Sequence, residues 1–135
     1  MVKYLRKGYS PMAIVRKADA PVFRLPGLCV TGLASPSRGA AETCAWHIAL
    51  EPGTGGVPHR VTREEIFVAV RGSAVARVDQ KEHTLRAGDA LVVPRDTEFS
   101  LANPGGESFE AIVAFPVGGK AVTGADAPFT PPWAE

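Results

Sequence analysis

The chain has 135 residues, of which 45% are hydrophobic, with 15 lysines and arginines against 14 acidic residues. This length suits one domain around one core, and the apolar content excludes a disordered chain. The near-balanced charge excludes a dedicated nucleic-acid binder, and no apolar run is long enough for a signal peptide or a bilayer span.

The 14 glycines and 12 prolines are spread along the chain and separate short apolar runs. That spacing predicts an all-β sandwich or barrel. Residues 1–11 read as an arm. Lys3, Arg6, Lys7, Arg16 and Lys17 stand in the first seventeen residues without an acid and read as a solvated cluster. Residues 12–15 form a short strand candidate. Turns at Ala20-Pro21 and Pro26-Gly27 flank a brief segment at 22–24, and residues 28–33 form the next strand candidate. Over 43–51 the pattern alternates, with Cys44, Trp46, Ile48 and Leu50 on one face and Ala45, His47, Ala49 and Glu51 on the other.

A glycine-rich loop then leads to His59. Its GTGG run lacks the strand–loop–helix setting and the lysine of a phosphate cradle, so it reads as a turn. Glu64 and Glu65 open an apolar strand over 65–71, and only one of two neighbours on a strand can face inward. Gly72-Ser73 suits a two-residue hairpin turn, so residues 74–78 are expected to pair back on that strand. Short strands follow at 83–86, 90–93 and 98–102, separated by polar or proline turns. Phe109, Ala111, Val113 and Phe115 make one further apolar face, opposite Glu110, Ile112 and Ala114. The tail from Pro116 carries Phe129 and Trp133 in a proline-stiffened setting and is expected to dock on the domain. Cys29 and Cys44 lack metal-type spacing and read as buried thiols in a reducing, cytoplasmic setting.

Two motifs carry a family resemblance. Gly53, His59, Val61, Glu65 and Gly72 keep the spacing of G-x5-H-x-H-x3-E-x6-G. Gly88, Pro94, Asp96, Phe99 and Asn103 keep that of G-x5-P-x-G-x2-H-x3-N. With these the chain resembles a small single-domain member of the cupin superfamily. The resemblance implies a double-stranded β-helix, a jelly-roll-like barrel of antiparallel sheets spanning about residues 28–116 of one domain. The arm and tail would pack on it. It also implies a homodimer, which the apolar residues on both faces of the strands at 66–70 and 109–115 support.

Cupins of this kind hold a metal through both histidines and the glutamate of the first motif and the histidine of the second. Here His59 and Glu65 remain, but Val61 and Phe99 stand at the other two positions, and Asp96 replaces a glycine. Two apolar replacements disfavour a divalent metal, so no cofactor is assigned. The expected pocket is lined by Val61, Glu65, Phe67 and Phe99 with His59 at its rim, if the barrel is open rather than filled. His47 joins it as a stand-in ligand only if its face lines the cavity. Without a metal, His59 and Glu65 are expected to pair with each other. The resulting reading is a barrel that binds a small organic ligand. Its alternatives are a metal-dependent dioxygenase or isomerase with an atypical ligand set, and a non-catalytic structural or regulatory dimer.

Overall fold

The computed structural model describes residues 12–135. Lys3, Arg6 and Lys7 of the basic arm lie outside the described residues. The strands are β1 (Val22–Leu25), β2 (Leu28–Ala34), β3 (Thr43–Leu50), β4 (Arg60–Val61), β5 (Glu65–Arg71) and β6 (Ser73–Val78). They continue with β7 (Lys81–Arg86), β8 (Ala90–Val93), β9 (Phe99–Ala102), β10 (Phe109–Pro116) and β11 (Ala121–Val122). A six-stranded antiparallel sheet runs in the order β1-β2-β3-β10-β5-β8, and a three-stranded sheet in the order β7-β6-β9. Side chains from both meet in one core. The short β11-β4 pair joins the tail to the loop that carries His59.

The alternating sequences of β3 and β10 dictate the centre of the large sheet. Along both strands buried and half-buried residues alternate almost without a break. Trp46 sits opposite Val113 and Ile48 opposite Ala111, so the apolar halves of both strands face the same core. Phe109, Phe115 and Val113 are fully buried, each contributing about 1.5–3 kcal/mol of transfer free energy.

Three local expectations are corrected. Residues 12–15 are not a strand: Met12 and Ile14 are exposed at 88% and 62%, and no sheet edge among the described residues pairs with them. The chain does not fold back at Gly72-Ser73 either. β5 pairs with β10 and β8, whereas β6 pairs with β7 and β9, so Gly72 is a corner where the chain crosses between sheets. Its φ of 72° and the close approach of the Ser108 carbonyl oxygen leave no room for a Cβ. The two-residue hairpin lies instead at Asp79-Gln80, between β6 and β7, where both residues have positive φ as a type I′ turn demands. Finally, Cys44 is buried, but Cys29 is only half-buried on the outer face of β2.

The tail docks. Beyond β11, a single 3-10 turn over Pro132–Ala134 lays the Trp133 ring against Phe23 and Trp46, at centroid distances of 5.9 and 6.3 Å. Arg38 Nη2 donates to the Trp133 carbonyl at 3.0 Å, and the Cys44 thiol donates to that of Ala134 at 3.7 Å. The Ser35 hydroxyl donates to the Glu135 carbonyl at 2.7 Å. No helix among the described residues is long and apolar enough to cross a membrane.

Candidate ligand cavity

The barrel is open. A cavity of about 510 Å³ lies between the sheets, within the size range of small-molecule sites. Its walls are inward residues of β2 and β3, the loop from Thr54 to His59, Phe99 and Leu101 of β9, and the tail residues Ala121, Pro131 and Trp133.

Strand geometry places the polar residue in this wall. Glu65 and Phe67 stand two apart on β5 and share the inward face, while Glu64 is exposed. Val61 on β4 and Phe99 on β9 are 3% and 1% exposed and present hydrocarbon to the same space. His59 lies beside Phe99. Their backbones exchange hydrogen bonds of 3.0 and 2.9 Å, and their rings stand 4.3 Å apart at 47°. His59 Nδ1 lies 2.9 Å from the Val57 carbonyl oxygen, which can only accept. The neutral imidazole therefore carries its proton on Nδ1 and keeps a lone pair on Nε2.

Glu65 is the unusual member. It is 6% exposed, and burial pushes its carboxyl up to about 8, with no compensating charge or hydrogen bond among the described residues. The expected His59–Glu65 pair is therefore corrected: no ion pair or hydrogen bond joins them among the described residues, and the imidazole Nδ1 is engaged by Val57. At neutral pH Glu65 is a carboxylic acid that can donate a proton into a hydrogen bond.

His47 is corrected as well. Alternation along β3 turns Trp46 into the cavity and His47 onto the opposite, outer face. There His47 Nε2 lies 2.9 Å from Glu110 Oε1, and Arg71 Nη1 donates to Glu110 Oε2 at 3.2 Å. His47 is a cross-strand surface partner and cannot serve as a third ligand in the barrel.

The donor set does not fit the metal that this fold commonly carries. Among the described residues no group of three or more His, Cys, Asp or Glu side chains is placed to hold one. Within the cavity only His59 and Glu65 offer donor atoms of that kind. Asn103, at the end of the second motif, is a fold residue. It is fully buried, donates to the carbonyls of Leu50 and Glu107 at 3.0 and 2.7 Å, and accepts from Gly105 N at 3.1 Å. Asp96 holds the positive φ, 60°, of the motif's glycine position.

The structure adds two tryptophans that the motif spacing does not point to. Trp46 shows a sequence signal, its inward position on an alternating strand. Trp133 shows a signal for docking, its place in a proline-stiffened tail, but none for reaching the cavity.

An antiparallel barrel with a lined internal cavity and two spaced signature motifs defines a class of small β-barrel domains. The chain belongs to the cupin family: the family model for the cupin domain matches residues 46–115, more than half the chain. Over 59 residues it is 39% identical to dimethylsulfoniopropionate lyase DddW of Ruegeria pomeroyi. That match covers 43% of this chain and only 39% of the lyase's length. Among solved structures it resembles an RmlC-like cupin from Shewanella frigidimarina, with a TM-score of 0.67 and 21% identity over 79% of this chain and 92% of that one. It also resembles the polyketide cyclase RemF of Streptomyces resistomycificus, with a TM-score of 0.69 and 19% identity over 78% of this chain and 80% of that one. Identities this low show a shared fold.

Proposed function

We propose that this chain binds a small organic molecule with an apolar body in the barrel cavity, engages it through Glu65, and does so without a tightly held metal. One observation carries the reading: an unpartnered carboxyl on a buried residue in the wall of a mostly apolar cavity of about 510 Å³. Leaving such a group unpaired costs stability, and a bound polar atom would offset that cost. Trp46 and Trp133 line the cavity, so their fluorescence reports occupancy. Titration with a neutral aromatic probe such as indole-free 2-naphthol is expected to give a saturable, one-to-one change that weakens in Glu65→Gln. A strictly linear response would contradict the reading.

A second reading, a lyase, is favoured by the likeness to dimethylsulfoniopropionate lyase DddW. An eliminating enzyme needs a base, and a carboxyl that ionises near pH 8 is a strong one for its type. Proton NMR of dimethylsulfoniopropionate incubated with the protein decides it. Turnover that disappears in Glu65→Gln would establish the lyase, and an unchanged spectrum would remove it.

The metal-free part of the proposal predicts a gain of function. Val61→His combined with Phe99→His rebuilds the family's four-ligand set and should create nickel, zinc or manganese binding that the parent lacks, read by calorimetric titration. The same stoichiometric binding by the parent, lost in His59→Ala, would overturn it.

A second copy of the chain is proposed to cover the outer face of the large sheet, where Val68, Val70 and Val92 are 40%, 49% and 51% exposed. Light scattering should report a dimer at micromolar concentration, and a monomer there would refute it.

A further inference from the structure

Part of the cavity wall comes from a segment that no strand holds. Pro131 and Trp133 line the cavity, yet the last strand-like bridge of the tail joins Ala121 to Phe129. Residues 124–129 leading into the segment are exposed. Beyond Thr130 the hydrogen bonds that fasten the tail all go to one lip of the barrel, Ser35, the turn over Pro36–Arg38 and the start of β3. Side chains donate there and main-chain carbonyls accept. Ser35 Oγ and Ser37 Oγ donate to the Glu135 carbonyl at 2.7 and 2.6 Å, and Arg38 Nη2 donates to that of Trp133 at 3.0 Å. The lip is shaped for this. Gly32 on β2 leaves the space that the Arg38 guanidinium fills, since a Cβ there would stand 2.6 Å from Nη2. Two opposed effects meet in the docked tail. The Trp133 ring packs on Phe23 and Trp46, and Ala134 is buried, which favours docking. Against it, Trp133 Nε1 and Arg38 Nε are shut off from solvent with no partner among the described residues, and both regain water when the tail lifts. A segment with few fastenings and such a penalty opens without the rest of the fold.

We propose that residues 131–135 form a strap that lifts off the barrel on its own, and that a molecule in the cavity holds it down. The inference rests on the cavity being a ligand site, as proposed above, and adds that one wall of the site moves. A ligand that touches Pro131 and Trp133 binds the docked form better than the lifted one. Occupancy therefore shifts the equilibrium towards docking, by as much as the ligand distinguishes the two forms. Cys44 reports the position of the strap. Its thiol belongs to a residue that is 0% exposed and donates to the Ala134 carbonyl, so lifting removes the group that covers it.

The test is alkylation by iodoacetamide of the full chain carrying Cys29→Ser, in which Cys44 is the remaining thiol. Labelling is expected to be slow and its rate nearly constant across low urea, as for a local opening that exposes little surface. Ser35→Ala with Ser37→Ala removes two fastenings and should raise the rate at least about tenfold. Ser37 is exposed, so Ser37→Ala alone keeps the fold and should raise it about threefold. 2-Naphthol at ten times its dissociation constant should slow labelling about tenfold. A rate that climbs with urea in step with global unfolding would overturn the strap, as would a rate that neither variant changes. Labelling indifferent to 2-naphthol, while fluorescence shows saturable binding, would overturn the coupling and leave the cavity reading standing. A linear fluorescence response to 2-naphthol would overturn the cavity reading and the coupling with it.

Discussion

Glu65→Gln is expected to remove a fall in stability between about pH 4.5 and pH 8 and to leave the variant more stable than the parent at alkaline pH. The Glu65 carboxyl ordinarily titrates near 4.5 and is pushed up to about 8 by burial in the folded chain. Between those values the folded state keeps a proton that the unfolded state has released. The unfolded state binds fewer protons there, so unfolding becomes easier as pH rises. The contribution is fully present below about pH 4.5 and is lost as pH passes through about 8. At about 1.4 kcal/mol per unit, the loss is on the order of 4–5 kcal/mol. Glutamine has no such titration, though its amide stays unpaired at a cost of roughly 1–3 kcal/mol. The net gain above pH 8 is therefore roughly 2–4 kcal/mol. Urea denaturation of both proteins at pH 5 and pH 9 measures it, and a difference that does not grow with pH would contradict the buried placement of Glu65.

Phe99→Ala carries the second large effect. The ring is 1% exposed and stands between His59 and Phe67, at 4.3 and 5.8 Å. Truncating a buried phenylalanine costs about 3–5 kcal/mol, because the void left behind only partly collapses. Here the void opens into the existing cavity, so the variant should also accept bulkier ligands. Its backbone bridge to His59 is retained, which keeps β9 in place. Denaturation midpoints check the cost, and an unchanged midpoint would mean that the ring bears no load in the barrel wall.

Much of the fold is legible because its signals are periodic. Alternation along residues 43–50 and 109–116 follows from the pleat of a strand, and the burial patterns of β3 and β10 repeat it. Motif spacing goes further, since it brings His59, Glu65 and Phe99 to one cavity from positions 40 residues apart. What stayed illegible depends on packing. Gly72-Ser73 reads locally as a hairpin, because a corner between two sheets needs the same positive φ as a turn. Residues 79–82 read as a polar turn, but the type I′ hairpin at Asp79-Gln80 is hidden, since it lacks the usual glycine. The position of His47 hinges on which face of β3 looks inward, which the sequence of that strand leaves open. The separation of His59 from Glu65 is a matter of side-chain direction: the imidazole Nδ1–H donates to the Val57 carbonyl, and no hydrogen bond joins His59 to Glu65 among the described residues. Trp133 enters the cavity through contacts with Phe23, Arg38 and Trp46 that no local pattern announces.

Native mass spectrometry of protein purified without chelators or a histidine tag tests the central claim most directly, because one spectrum reports both metal and organic ligand. The account predicts polypeptide mass with no stoichiometric transition metal, and one added organic molecule per chain when a cavity ligand such as 2-naphthol is supplied. That adduct should be lost or weakened in Glu65→Gln. One nickel, zinc, iron or manganese ion per chain, released in His59→Ala, would contradict the account.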